Sequence, residues 1–262
     1  MFQLLVLATA ATGSAQETPQ ETRPGPAYEL KLDLDLPIVL IAGGLTSSFF
    51  LLPELPGATC APECDRSHIN RLDRSAAGLY DPTWGTVGDI ATATTLAAPV
   101  VVVLVDEGFK NGLNDDLVVA EAALVSSALQ ISTSYAVARP RPRVYADQAP
   151  LGSRTNSNAA RSFFSGHVAN TVATSVAALR TFQRLDKPAL GWVVLGVGLA
   201  GSSLVGVSRI ASGAHFPSDV LVGAAVGAGF GLALPAVHRS GARLIPFTTS
   251  DSAGLMLTGT LR

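Results

Sequence analysis

Long stretches without a charged residue recur along this 262-residue chain, at residues 36–53, 90–105, 122–138, 162–179, 188–208 and 220–238. A helix needs about 20 mostly apolar residues to cross a bilayer. The stretches at 188–208 and 220–234 come nearest to that pattern. They are also rich in Gly, Ala and Ser, the small residues that let membrane helices approach closely. The stretches at 90–105 and 162–179 are weaker, being short or dotted with Thr, Ser and His. The pattern predicts an all-α, membrane-embedded bundle of about six helices. The competing arrangement is a soluble bundle whose core helices are unusually apolar.

Composition narrows the function classes. Charged residues make up 15% and hydrophobic residues 48%, against about 25% charged in ordinary soluble domains. The formal net charge of −2 leaves no basic footprint, which argues against a nucleic-acid partner. Two cysteines, Cys60 and Cys64, are too few for a disulfide-dense scaffold or a four-cysteine zinc ribbon. Residues 1–15 are apolar and end on small residues, as a secretory signal does, although the basic start is missing. Residues 16–35 read as a polar lead-in, unstructured up to residue 33, residues 36–239 as the helical domain, and 240–262 as a tail. In that tail two short apolar runs around Ser-Asp-Ser-Ala-Gly predict a β-hairpin-like pair of strands.

The connections at 53–89 and 139–161 are long and those at 106–121 and 180–187 shorter, and the chemistry concentrates in three clusters on the face that carries the long ones. The first is Arg139-Pro140-Arg141-Pro142-Arg143. Alone it reads as a basic helix stop, but guanidinium groups also match phosphate oxygens. The second is Ser162-Phe-Phe-Ser165-Gly166-His167. Ser165 and Gly166 fall where free backbone N–H groups gather at a helix start, which is either a plain cap or an anion site. The third runs from Ser208-Arg209 to His215 and Asp219, with Pro217 fitting a first helical turn. The spacing of four lets Asp219 meet His215 across one turn, which is either an incidental ion pair at a capped helix start or a pairing that leaves the second imidazole nitrogen free as a nucleophile. His68 and His238 show no such partner and read as loop or interface residues.

Taken together, the clusters resemble the type 2 phosphatidic acid phosphatase superfamily of lipid phosphatases, bacterial acid phosphatases and vanadium haloperoxidases. The third motif of that family is complete here as Ser208, Arg209, His215 and Asp219. The second appears as Ser165-Gly166-His167, with Phe164 where the family usually has proline. The first lacks its lysine: that position holds Ser134, or Ser132 in the alternative register. The resemblance implies phosphomonoester hydrolysis through a phosphohistidine, without metal or other cofactor. His215 is then the nucleophile, Asp219 its orienting carboxylate and His167 the general acid. Arg141, Arg209 and the Ser165–Gly166 amides hold the phosphate, and Arg139 or Arg143 is the candidate substitute for the lysine. Other readings are a soluble periplasmic acid phosphatase of the same fold, or an inactive phosphate-binding relative.

The implied partners are a lipid phosphate or diphosphate, or another phosphomonoester, and a membrane. The cysteines lie on the motif face. Their spacing suits a disulfide in an oxidising compartment, with a metal pair completed by Asp65 and His68 as the rival. A cleaved signal followed by six crossings would instead turn the motif face to the cytoplasm. By resemblance to bacterial relatives, the expected location is the bacterial cell membrane with a periplasmic site, and otherwise a secreted or periplasmic enzyme.

Overall fold

The computed structural model describes residues 25–51, 57–239, 243–248 and 253–258, so the proposed signal at 1–15 lies outside the described residues. Five long helical elements build the bundle: α1 (Leu32–Leu51), α2 (Pro82–Val137), then, after a short α3 (Leu151–Thr155), α4 (Gly166–Arg184), α5 (Pro188–Ala211) and α6 (Pro217–Arg239). The Asp81 carboxylate caps α2 by accepting from the amides of Thr83 at 2.8 Å and Trp84 at 3.4 Å. Pro82 follows at the first position, where no amide donor is needed.

α2 is two antiparallel helices joined at one residue. Gly108 has φ 72° and ψ 166°, a backbone conformation open to glycine. The chain doubles back there, so that a Cβ added at Gly112 would lie 3.0 Å from the Leu104 Cα. The sequence suggested a connection at 106–121. The reversal occupies little more than Gly108 instead, and Lys187 fastens it through Asp106 at 2.6 Å and Glu107 at 2.8 Å. Six helical segments therefore run through the bundle.

α4 is the central helix, with Val168, Ala169, Ala173, Ala177 and Phe182 buried along it. Its hydroxyl groups turn back on their own helix: Thr171 bonds the His167 carbonyl at 3.0 Å, Ser175 that of Thr171 at 2.6 Å and Thr181 that of Ala177 at 3.1 Å. A helix can thus carry polar residues through an apolar interior without orphaned donors. α6 lies directly on α4 through a glycine stripe. A Cβ at Gly223, Gly227 or Gly231 would fall 2.5, 2.1 or 2.7 Å from the carbonyl oxygens of Ser165, Ala169 and Ala173. Gly227→Ala is expected to destabilise the protein by about 1–3 kcal/mol by prising the two backbones apart, which a detergent thermal melt measures.

The outer surface is apolar where a soluble protein would be charged. Val193, Val197 and Val207 on α5, Leu221 and Leu232 on α6, and Ile90, Val101 and Val105 on α2 are all exposed. The segments Pro82–Tyr145, Pro188–Ala211 and Pro217–His238 each contain a stretch long and apolar enough to cross a membrane.

Three expectations need correction. The chain is not all-α: strands β1 (Arg243–Thr248) and β2 (Ala253–Thr258) pair antiparallel in the tail, from Arg243 with Thr258 to Thr248 with Ala253. The all-α description holds for the bundle at 32–239, which contains no strand among the described residues. Nor do all six predicted spans have crossing character, since α4 is enclosed by its neighbours and supplies core more than lipid-facing surface. The end of the polar lead-in is ordered too. The amides of Ala27 and Tyr28 each donate to the buried Asp115 carboxylate at 3.0 Å.

Candidate active site

The three sequence clusters meet at one end of the bundle. α2 ends at Val137, and Ala138 adopts a left-handed cap with φ 47°. Pro140 and Pro142 then prevent the helix from resuming. The extended segment carries Arg139 and Arg141 to different partners. Arg141 Nε donates to the Asn158 carbonyl at 2.8 Å, and its Nη2 donates to the Asn158 side-chain oxygen at 2.9 Å. Held in this way, Arg141 lines a cavity of about 220 Å³ together with Gly166, His167, His215, Gln130 and Asn170.

Arg139 is committed elsewhere. Its Nη2 lies 2.7 Å from Asp73, and its Nη1 donates to Ser218 at 2.9 Å and to Asp219. Both Nη atoms are therefore occupied by protein partners. Ser134 is buried, with its hydroxyl on the Ile131 carbonyl at 2.8 Å, and Ser132 bonds the Ala128 carbonyl at 2.9 Å. Because the helix ends at Val137, Ser134 and Arg141 do not share a helical face. Arg143 turns away as well, its Nε donating to the Ser153 carbonyl at 3.1 Å.

His215 and Asp219 do not touch in the way their spacing suggested. His215 precedes α6, which begins at Pro217, so the one-turn relation does not apply. The His215 Nδ1 instead sits 2.6 Å from the Ser162 carbonyl. Asp219 accepts from the Ser162 hydroxyl at 2.5 Å and from the Phe216 amide at 2.8 Å. Asp219 thus reaches the imidazole through Ser162, whose hydroxyl it holds and whose carbonyl orients the ring. The buried His215 has its basicity pushed well below the ordinary histidine value, by desolvation first and then by Arg141 and His167. A neutral ring donating from Nδ1 carries its lone pair on Nε2.

His167 opens α4 opposite it, with the ring centroids 6.4 Å apart and tilted by 60°. Burial, Arg209 and Arg141 lower its pKa to about 4. Arg209 is buried, with Nη2 on Asp89 at 2.5 Å and Nε without a protein partner. The Ser165 hydroxyl is likewise buried and unpartnered. Its amide, expected to bind phosphate, already donates to the Asp219 carbonyl at 3.0 Å. The following amides, from Gly166 onward, belong to the first helical turn and have no intrahelical acceptor. Gly88 allows α2 to approach this group, because a Cβ there would lie 3.1 Å from the Arg209 guanidinium carbon.

Sequence reasoning missed Asp89, Asp73 and the part played by Ser162. Asp89 had a signal, as the one charged residue between Asp81 and Asp106. Asp73 had none, since the partners that tie it to the site, Arg139 and Ser218, lie 66 and 145 residues away. Cys60 and Cys64 are bonded as a disulfide, with Cα atoms 4.8 Å apart, so neither sulfur is available to a metal. Asp65 and His68 are exposed and lie 3.8 Å from each other.

Residues 117–241 match the family model of the PAP2 superfamily. No curated protein matches the chain. Among solved structures, it is similar to one titled the first transmembrane PAP2 type phosphatidylglycerolphosphate phosphatase, from Bacillus subtilis. The identity is 20% and the TM-score 0.42, over 76% of this chain and 93% of that one.

Proposed function

We propose that the protein hydrolyses the phosphomonoester of a membrane lipid through a phosphohistidine on His215. The observation that carries this reading is the convergence of Arg141, His167 and His215 on one cavity, with the Arg209 Nε and the Ser165 hydroxyl buried nearby without partners. The His215 Nε2 lone pair attacks phosphorus and the bond to the lipid oxygen breaks. His167 gives its proton to that oxygen, as a general acid does. Water then attacks the phosphohistidine, returning a proton to His167 and releasing phosphate. Arg141, Arg209, the Ser165 hydroxyl and the first amides of α4 hold the three non-bridging oxygens as charge redistributes. Asp219 is a positioning residue acting through Ser162.

The lowered pKa of His167 fits this cycle. Burial disfavours a charge on His167, and Arg209 and Arg141 repel a third cation beside them. A phosphate dianion between them reverses that field and lets His167 take up the proton that it later donates.

A lipid substrate follows from the surroundings. A groove of about 450 Å³, lined by Ile38, Ile41, Leu45, Leu129 and Phe230, lies between α1 and α2. Leu45 adjoins Thr46 in sequence, and Thr46 lines the cavity, so the apolar groove lies beside the headgroup site. The disulfide points to an oxidising compartment on the catalytic side, the periplasm in a bacterial cell.

The test is phosphate release from a panel of lipid phosphates in detergent. With His167→Ala, turnover of an alkyl phosphate is expected to fall by about 10²–10⁴-fold, while p-nitrophenyl phosphate, whose leaving oxygen needs little protonation, loses much less. The alkaline limb of the alkyl phosphate profile should vanish in the same variant. That limb reports loss of the His167 proton as pH rises. Equal losses on both substrates would remove His167 from the acid role.

A further inference from the structure

We propose that Asp35, Glu121 and His238 form a divalent-cation site at the end of the bundle opposite the catalytic cavity. The three residues come from α1, α2 and α6, and one ligating atom from each lies within 4.8 Å of the others. His238 follows Pro217 by 21 residues, so it stands about 30 Å down α6 from the catalytic end at 1.5 Å per residue. All three side chains are buried.

The geometry is hard to satisfy without a cation. His238 Nδ1 lies 2.9 Å from the Leu234 carbonyl, one turn back on its own helix, so Nδ1 carries a hydrogen and donates it. In the neutral ring this leaves the Nε2 lone pair pointing at two carboxylates, Asp35 Oδ1 at 2.7 Å and Glu121 Oε2 at 3.2 Å. A backbone carbonyl holding the far nitrogen of a histidine is the usual outer support of a metal ligand. A proton on Nε2 would serve one carboxylate well and leave the other short. Glu121 shows that shortfall: it is 1% exposed, and neither of its oxygens meets hydrogen-bond geometry with any group. Asp35 is already fixed, because its other oxygen accepts the Lys31 amide.

Charge points the same way. Two carboxylates and a neutral imidazole sum to −2, which one divalent ion neutralises. The Arg184 guanidinium nearby stacks on the Tyr28 ring at 4.6 Å, and Tyr28 meets His238 edge-on at 6.0 Å between centroids. One nitrogen and two carboxylate oxygens suit Zn²⁺ at about 2.0–2.2 Å, with a fourth position for water. Bonds of that length need ligand atoms roughly 3.3 Å apart, and His238 Nε2 already lies 2.7 and 3.2 Å from the two carboxylate oxygens. An ion there would clasp α1 to α2 and α6.

The experiment uses the full chain in detergent, with His68→Ala as background to remove the exposed Asp65–His68 pair. The protein is stripped with a chelator and titrated with Zn²⁺, while bound metal and the unfolding midpoint are followed. The proposal expects saturation at one zinc per chain and a midpoint raised by about 5 °C or more at a hundredfold excess over Kd. Glu121→Gln, which keeps the shape and removes the charge, should weaken zinc binding at least about tenfold. Asp116→Asn, at another buried carboxylate of α2, should leave it unchanged. If the stripped protein takes up no saturating Zn²⁺ or Mn²⁺, or if Glu121→Gln binds zinc as tightly as its parent, the three residues are an internal ion-pair network and the proposal fails.

Discussion

His215→Ala is expected to lower phosphate release by about 10⁴-fold or more, since losing a nucleophile removes the covalent route and leaves only the binding framework. His215→Asn makes the sharper comparison. Its amide can still donate to the Ser162 carbonyl, so the loop before α6 keeps its anchor while the nucleophilic nitrogen is gone. Both variants should melt near the parent temperature. Brief incubation of the parent with a ³²P-labelled lipid phosphate should leave a protein-bound label that is stable in alkali and lost in acid, as a phosphorus–nitrogen bond is. Neither variant should retain any label. Substantial turnover by His215→Asn would mean that water attacks phosphorus directly and that His215 serves only the cavity wall.

Arg139→Ala is expected to be the most damaging substitution for stability. Arg139 bridges Asp73 and Asp219, whose side chains are fully buried, and its guanidinium stacks over Phe216 at 4.3 Å. Removing it leaves two carboxylates facing each other out of water, a loss of about 3–5 kcal/mol by analogy with broken buried ion pairs. Activity should fall with it, because Asp219 also sets Ser162 and through it His215. Thermal melts and activity of Arg139→Ala and Arg139→Lys measure both effects. A stable, fully active Arg139→Ala would show that this clasp is dispensable.

The motifs were legible because each is short and sits at a helix end, where residue spacing nearly fixes position. His167 in the first turn of α4 and Arg209 in the last turn of α5 needed only the helix boundaries. What could not be read was the wiring between them. A spacing of four invited a direct contact between His215 and Asp219, but the helix starts two residues after His215. The contact passes through Ser162, 53 residues earlier in the chain. Arg139 and Arg141 look interchangeable in sequence, and only the position of Asp73 separates a structural clasp from a cavity residue. The reversal at Gly108 was equally hidden, since charged residues on both sides of it resemble a loop. His238 was set aside for lack of a nearby acid, because its partners lie on two other helices.

The glycine stripe of α6 has a consequence for how this catalyst can vary. Its first member, Gly223, rests on the carbonyl of Ser165, the residue that starts α4 and immediately precedes Gly166 and His167. Asp219 and the His215 loop stand at the head of the facing helix. The spacing between His167 and His215 is therefore gauged by backbone contact along the apolar interior, several turns deep. A methyl group added far down that seam would act as a shim beneath the reaction centre. Substitutions in that seam can then shift the cavity without touching any residue that lines it.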